Sequence, residues 1–215
     1  MRHEMARLKS QQALEQERLR IAQDIHDDLG ARVTEISLAS ALAKSKSNFP
    51  AGVSADLDNI SAMCRELVAA LYETVWAVNP ENDNLDALGN FLCQTINHLC
   101  KQAQLPCRFQ VSDVPANFQV SSHTRHNIVM AVKEAVHNVI KHAHAAEITL
   151  HVAFEQSVLT VSIQDDGCGI KTGGPPGDGL INMKRRLEIL GGSCLIESQP
   201  GRGTTVKMQM PMRAR

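Results

Sequence analysis

Along the first 46 residues, apolar positions recur at three- and four-residue steps. Ala22, Ile25, Leu29, Ile36, Ala39 and Ala43 form one stripe, interrupted by Arg32, in a segment with no proline and a single glycine. That period predicts a long amphipathic helix. Ahead of it Glu15, Glu17, Arg18 and Arg20 alternate in sign, with sparse apolar positions at Met5, Leu8 and Leu14 that could continue a helix from an upstream element. Asn48-Phe49-Pro50-Ala51-Gly52 is turn chemistry, after which Ser54 or Asp56 can cap a second helix. Leu57, Ile60, Cys64, Leu67, Leu71, Thr74 and Val78 then hold a coiled-coil seam. One hairpin leaves such a seam half used, whereas two hairpins from two chains close a four-helix bundle, so the pattern predicts a homodimer.

Asn79-Pro80 ends the second helix, and a polar joint leads to Leu85, Leu88, Leu92, Ile96 and Leu99, a third amphipathic helix. A boundary at this point divides the chain into a helical hairpin, 1–79, and a second domain, 80–215. From Cys107 the pattern becomes alternation, in 107–111, 147–152, 159–163, 194–197 and 205–210, interrupted by helical stretches at 122–143 and 180–190. That order predicts an α+β protein whose second domain is an α/β sandwich on a mostly antiparallel sheet.

Composition narrows the functional classes. A 215-residue chain with 43% apolar residues can build a packed core, and a formal charge of −1 supplies no general basic field for nucleic acid or anionic membrane. The expected partners therefore include no direct nucleic acid, and a polyanion would need a local site. Six cysteines without a C-x-x-C, and the lack of a leader-like opening, fit reduced thiols in a cytoplasmic setting. No stretch approaches the ~20 apolar residues of a bilayer span, so membrane attachment would come from a sensor region outside this chain.

Two places carry candidate chemistry. Asp165-Asp166-Gly167-Cys168-Gly169 ends a strand, and Gly173 to Gly177, Asp178, Gly179 and Leu180 open a helix. Glycines let backbone amides approach a ligand, a helix N-terminus offers N–H groups to phosphates, and Asp165 could accept a hydrogen bond from an exocyclic amine such as that of adenine. The same run is also ordinary turn punctuation. On the helix of 122–143, Glu134, Asn138 and Lys141 share one face, with His142 beside them. An Asn oxygen suits Mg²⁺, Glu134 could hold a metal-bound water or orient the Asn, and Lys141 could meet phosphate. Equally, the row is the solvated side of an amphipathic helix. His137, His142 and His144 spread around a helix end without converging as metal ligands, and Cys93, Cys100 and Cys107, seven apart, read as core packing.

Taken in order, Glu-x-x-x-Asn-x-x-Lys-His, Asp-x-Gly-x-Gly, Gly-x-Gly-Leu and Gly201-Arg202-Gly203-Thr204 resemble the nucleotide-binding boxes of the GHKL ATPases (gyrase, Hsp90, histidine kinase, MutL). The resemblance implies a Bergerat-type fold binding Mg²⁺-ATP. Within it Asp165 reads adenine, Asn138 holds Mg²⁺ with Glu134, Thr204 lies near the adenine carboxylate, and Gly167, Gly169, Gly177, Gly179, Leu180, Lys141 and His142 complete the site. A short lid spans Gly169 to Gly177, stiffened by Pro175-Pro176. Arg20 to Gly30, with His26-Asp27 at its centre, looks like the phosphoacceptor box of NarL-partner-type sensor kinases, and Trp76 to Asp83 is similar to the helix end of those that follow a periplasmic propeller sensor. The resemblance covers nearly the whole chain. It implies a two-component sensor kinase core, the cytoplasmic part of a membrane-anchored sensor, that phosphorylates His26 and passes the phosphoryl group to a response-regulator receiver domain. Such kinases often carry Gln five residues after the phosphoacceptor, where this chain has Ala31, which puts phosphatase activity in question but not kinase activity.

The phosphoacceptor chemistry can also be read from the residues. The neighbours of His26 one turn away, Ala22 and Gly30, are small, and Gly30 costs about 1 kcal/mol in a helix interior, which close access to His26 would explain. A neutral imidazole attacks phosphorus through one nitrogen while a carboxylate, here Asp27, holds the other N–H and stabilises the imidazolium. Two rivals differ. A serine kinase of the anti-sigma type or an ATP-driven clamp would not need the His-Asp pair, and a nucleotide-binding dimeric scaffold would transfer nothing.

Overall fold

The computed structural model describes residues 2–46, 50–112, 115, 118–170 and 177–212, and the chain divides into two compact units, Met1–Asn82 and Asp83–Arg215. The first unit is a helical hairpin, the second a mixed α/β sheet domain. They are α1 (Arg2–Lys46), α2 (Ala51–Val78) and a 3₁₀ turn at Pro80–Asn82, then α3 (Leu85–Gln102), β1 (Cys107–Val111), α4 (Ser122–Asn138), β2 (Ile148–Glu155), β3 (Val158–Asp165), α5 (Asp178–Ile189), β4 (Ser193–Ser198) and β5 (Thr204–Pro211).

In the hairpin, the N-cap of α2 lies four residues before Ser54 and six before Asp56, the two candidate caps. Pro50 occupies the N-cap with φ −53°, and Ser54 donates its backbone N–H to the Pro50 carbonyl, so Ser54 and Asp56 lie inside the helix. Proline preset at helical φ starts the helix without a side-chain cap. The seam of α2 is split. Cys64 is buried and Leu57, Leu71 and Val78 are half-buried, whereas Ile60, Leu67 and Thr74 are exposed. Among the described side chains of α1 the buried ones are Val33 and Ser40, while Ile25, Leu29 and Ile36 of the sequence stripe remain exposed together with Ile21. Each helix thus spends one face on the hairpin and presents a second apolar face outward. Lys44 pairs with Asp58 at 2.6 Å across the two helices near their joined ends.

The second unit is a five-stranded sheet in the order β1-β2-β3-β5-β4, with β1 parallel to β2 and the other pairings antiparallel. Leu150 pairs with Ile163, and Ile163 with Val206, so the buried positions of successive strands form rows on one face. The helices cover that face with Leu88, Leu92 and Ile96 of α3, Ile128, Val132 and Val136 of α4, and Met183 and Leu187 of α5, all nearly solvent-free. Asn84 and Ser121 cap α3 and α4, accepting from the N–H groups of Ala87 and Thr124 at 2.7 and 3.1 Å. Arg125 is fully buried at the start of α4, paired with Asp83 and donating to the Val120 carbonyl at 3.0 Å.

Candidate functional site

Strand register explains the first site residue. Leu159, Val161, Ile163 and Asp165 alternate onto the buried face of β3, so the carboxylate of Asp165 stands where the apolar row would continue, at the strand end. It accepts the Gly167 N–H at 2.9 Å and the backbone N–H of Thr204. Burial raises its pKa above the ordinary carboxylate range, against the pull of those two donors.

The neighbouring glycines serve the chain itself. A Cβ on Gly203, which has φ +82°, would strike the Asp165 carbonyl; one on Gly167 would strike the Ala143 carbonyl, and one on Gly169 that of Gln199. The three positions pack the end of β3 against the C-terminus of α4 and the β4-β5 turn, and the Cys168 N–H to Ala143 carbonyl bond (2.7 Å) and the Gly201 N–H to Cys168 carbonyl bond (2.8 Å) close the same corner. Gly177, in contrast, has open space beside it as the N-cap of α5, with no side-chain cap bond to the helix.

Glu134 and Asn138 follow one α-helical row on α4. Lys141 and His142 do not continue it, because Val139–Ala143 is a π-helical turn ending at His144 in the left-handed region (φ 51°), and both are exposed. Gly179, in the first turn of α5, sits so close to Glu134 that a Cβ would collide with its carboxylate. Leu180, half-buried, donates its N–H to the Gly177 carbonyl at 3.0 Å. The amide nitrogen of Asn138 is buried with no acceptor among the described residues. A buried donor left unsatisfied is costly, and a ligand oxygen would satisfy it. Among the described residues no group of three or more His, Cys, Asp or Glu could hold a metal, so an ion beside Asn138 and Glu134 would need ligand oxygens to complete its shell.

Two polar residues at this corner were not singled out from the sequence. Asp166 accepts the N–H groups of Ala146 and Glu147 at 2.8 and 3.0 Å, which hold its carboxyl below the usual range. Ser198 accepts the Ile170 N–H at 2.7 Å and lies 3.0 Å from the Thr204 hydroxyl. The Asp-Asp doublet is the one sequence signal for Asp166, and nothing in it marks the bonds to Ala146 and Glu147. The lid with Pro175-Pro176 lies outside the described residues.

In the first unit, position 26 is in mid-helix on α1, on the row of Ala22 and Gly30, both half-buried; the His26 side chain lies outside the described ones, and Asp27 is exposed. Arg20 is paired with Glu17 and Asp24, and Arg32 with Asp28, flanking the segment with ion pairs along the helix.

Residues 17–83 match the histidine kinase family, and residues 124–214 match the histidine kinase-, DNA gyrase B- and HSP90-like ATPase family. Sensor histidine kinase LnrJ of Bacillus subtilis is 30% identical over 91% of this chain and 48% of its own length, and sensor histidine kinase DesK of the same organism 29% over 91% and 51%. The histidine-protein kinase/phosphatase UhpB of Salmonella typhimurium is 28% identical over 90% of this chain and 38% of its own. The chain spans about half the length of these relatives or less. The histidine kinase domain of the Erythrobacter litoralis EL346 blue-light activated kinase is similar in fold, with a TM-score of 0.54 at 19% identity over 85% of this chain and 94% of that one.

Proposed function

We propose, for a chain that belongs to the sensor histidine kinases, that it binds Mg²⁺-ATP in the α/β unit and transfers the γ-phosphoryl group to His26, from which the group passes to an aspartate of a response-regulator receiver domain. The observation that carries this reading is the buried amide of Asn138, without an acceptor among the described residues, on the α4 row of Glu134, whose carboxylate lies against the first turn of α5 in an ATPase-family domain.

Asp165 accepts a hydrogen bond from the adenine amine, for which its inward carboxylate is preset by the Gly167 and Thr204 N–H groups. The free N–H groups of α5 after Gly177 meet phosphate oxygens, as does the exposed Lys141 as a point charge. Asn138 and Glu134 fit a hard cation, and the exposed His142 on the following π turn is the further candidate contact; when bound, Mg²⁺ would neutralise charge on the phosphates. One imidazole nitrogen of His26 attacks the γ-phosphorus through its lone pair, the bond to the β,γ-bridging oxygen breaks, and ADP leaves. Asp27 holds the proton on the other nitrogen. The outward apolar faces of α1 and α2 support a homodimer closed as a four-helix bundle, with residues 1–79 serving dimerisation and phosphoacceptance and 80–215 serving catalysis. Among the described residues no helix is long and apolar enough to cross a membrane.

Incubation of the chain with γ-labelled ATP and Mg²⁺ should give an acid-labile, base-stable label that His26→Gln abolishes while ATP binding persists. Label retained by that variant would overturn the assignment. ATP bound without any label in the parent chain would instead favour the nucleotide-binding scaffold.

A further inference from the structure

Cys93, Cys100 and Cys107 recur every seven residues, and the fold treats them unequally. Cys93 and Cys100 stand on α3 two turns apart, and Cys100, near its end, is almost fully buried. The helix then stops in a defined reversal. The Leu105 N–H returns to the Cys100 carbonyl at 2.9 Å, the Gln104 N–H to that of Lys101 at 3.2 Å, and Gln104 takes the left-handed conformation with φ 54°. This pairing of bonds is a Schellman motif, with Gln where glycine is usual. It turns the chain back on itself within a few residues, so that Cys107, the first residue of β1, returns to Cys100. The two thiols are hydrogen-bonded to each other, and Cys107 lies half-buried beside the Glu147 carboxylate. Burial of this contact and the shared proton favour one thiolate at most, so loss of the second proton from the pair is pushed upward.

We infer that Cys100 and Cys107 form an oxidisable dithiol, a modification site at the α3-β1 turn that closes to an intramolecular disulfide. The reaction class is exchange with a small disulfide. Cys107, the more accessible sulfur, attacks one sulfur as its proton passes to the Cys100 thiolate, and a small thiolate is expelled; Cys100 then gives up that proton as it attacks Cys107 in the mixed disulfide, and a second small thiol leaves. Two protein thiols lose two protons and two electrons, and one small disulfide is reduced to two thiols. The turn holds the pair in register before oxidation, so the second displacement is intramolecular and outcompetes reaction with other thiols. Cys168, exposed and hydrogen-bonded to the His142 carbonyl at 3.4 Å, has no thiol partner among the described residues, and under the same conditions stays a mixed disulfide or a free thiol.

The test uses the full chain, oxidised with glutathione disulfide, alkylated and digested with trypsin without reduction. Cleavage after Lys101 separates Cys100 from Cys107, so the proposal expects the peptide 66–101 joined to 102–108, with the link restored to free thiols by dithiothreitol. Cys93→Ser should leave the link intact, and Cys107→Ser should remove it while leaving the circular dichroism spectrum unchanged. A link that disappears in Cys93→Ser and survives in Cys100→Ala would overturn the assignment. So would oxidation that leaves 66–101 and 102–108 separate while Cys168 is glutathionylated.

Discussion

The two units solve the problem of burying apolar surface in opposite ways. In the α/β unit three helices cover one face of a sheet, and its core residues, among them Ile96, Ile128, Val161 and Met208, are solvent-free within one chain. In the hairpin few side chains are buried, while Ile21, Ile25, Leu29 and Ile36 on α1 and Ile60, Met63 and Leu67 on α2 stand 41–68% exposed. A domain that closes on itself can carry a site made of its own residues; a hairpin with half its seam unused needs a second copy to become a core. The difference separates assembly from nucleotide binding.

The largest expected effect comes from breaking assembly alone. Ile60→Glu with Leu67→Glu places two charges in each copy of the bundle face and should cost about 8 kcal/mol of dimer affinity, from about 2 kcal/mol for each of four buried side chains. Sedimentation should show monomers, with ATP binding unchanged. Next, Gly203→Val should act only on the α/β unit. Its side chain meets the Asp165 carbonyl at φ +82°, so denaturation should show a loss of about 3 kcal/mol and nucleotide binding should vanish while the dimer persists.

Asp165→Asn sharpens the comparison. It keeps the acceptor for the Gly167 and Thr204 N–H groups but weakens the bond to an adenine amine, so ATP affinity should fall by about 2 kcal/mol, while stability holds or rises because a buried charge is gone. The pH dependence follows from the raised carboxyl. The folded state keeps this proton to higher pH than the unfolded chain does, so the contribution of Asp165 to stability is greatest below the unfolded-state pKa and is lost as pH rises through the raised value. ATP binding, which needs the carboxylate, should weaken as pH falls through that same value, and Asp165→Asn should flatten both profiles in thermal melts and titrations. The smallest effect is Lys44→Ala. Its pair with Asp58 is exposed on both sides, so unfolding should change by about 0.5 kcal/mol or less.

Periodicity was enough to read most elements. Strand alternation placed the five strands of the sheet, and the Asn79-Pro80 break ahead of the third helix marked the division between the two units to within a few residues. What escaped depends on contacts distant in sequence or on backbone detail. The seam of α2 read as one surface, yet Leu57 and Cys64 face α1 while Ile60 and Leu67 do not, a division set by how the hairpin packs. Asp165 could be marked as a strand-end carboxylate, but its burial follows from its register with Ile163. The π turn that moves Lys141 off the Asn138 row, and the carbonyls behind Gly167 and Gly203, have no local signature. Nor does a seven-residue cysteine spacing announce that a Schellman turn will bring two of the three together.

The central claim is that phosphate held by one unit arrives on a histidine of the other. Trypsin releases 21–32, Ile21 to Arg32, whose only histidine is His26 and which contains no serine, threonine or tyrosine. Mass spectrometry of the ATP-treated chain, digested at neutral pH, should find one added phosphoryl mass on this peptide, needing about thirtyfold more ATP to appear in Asp165→Asn. Phosphoryl found on another peptide, or none on this one while the parent chain carries label, would contradict the account.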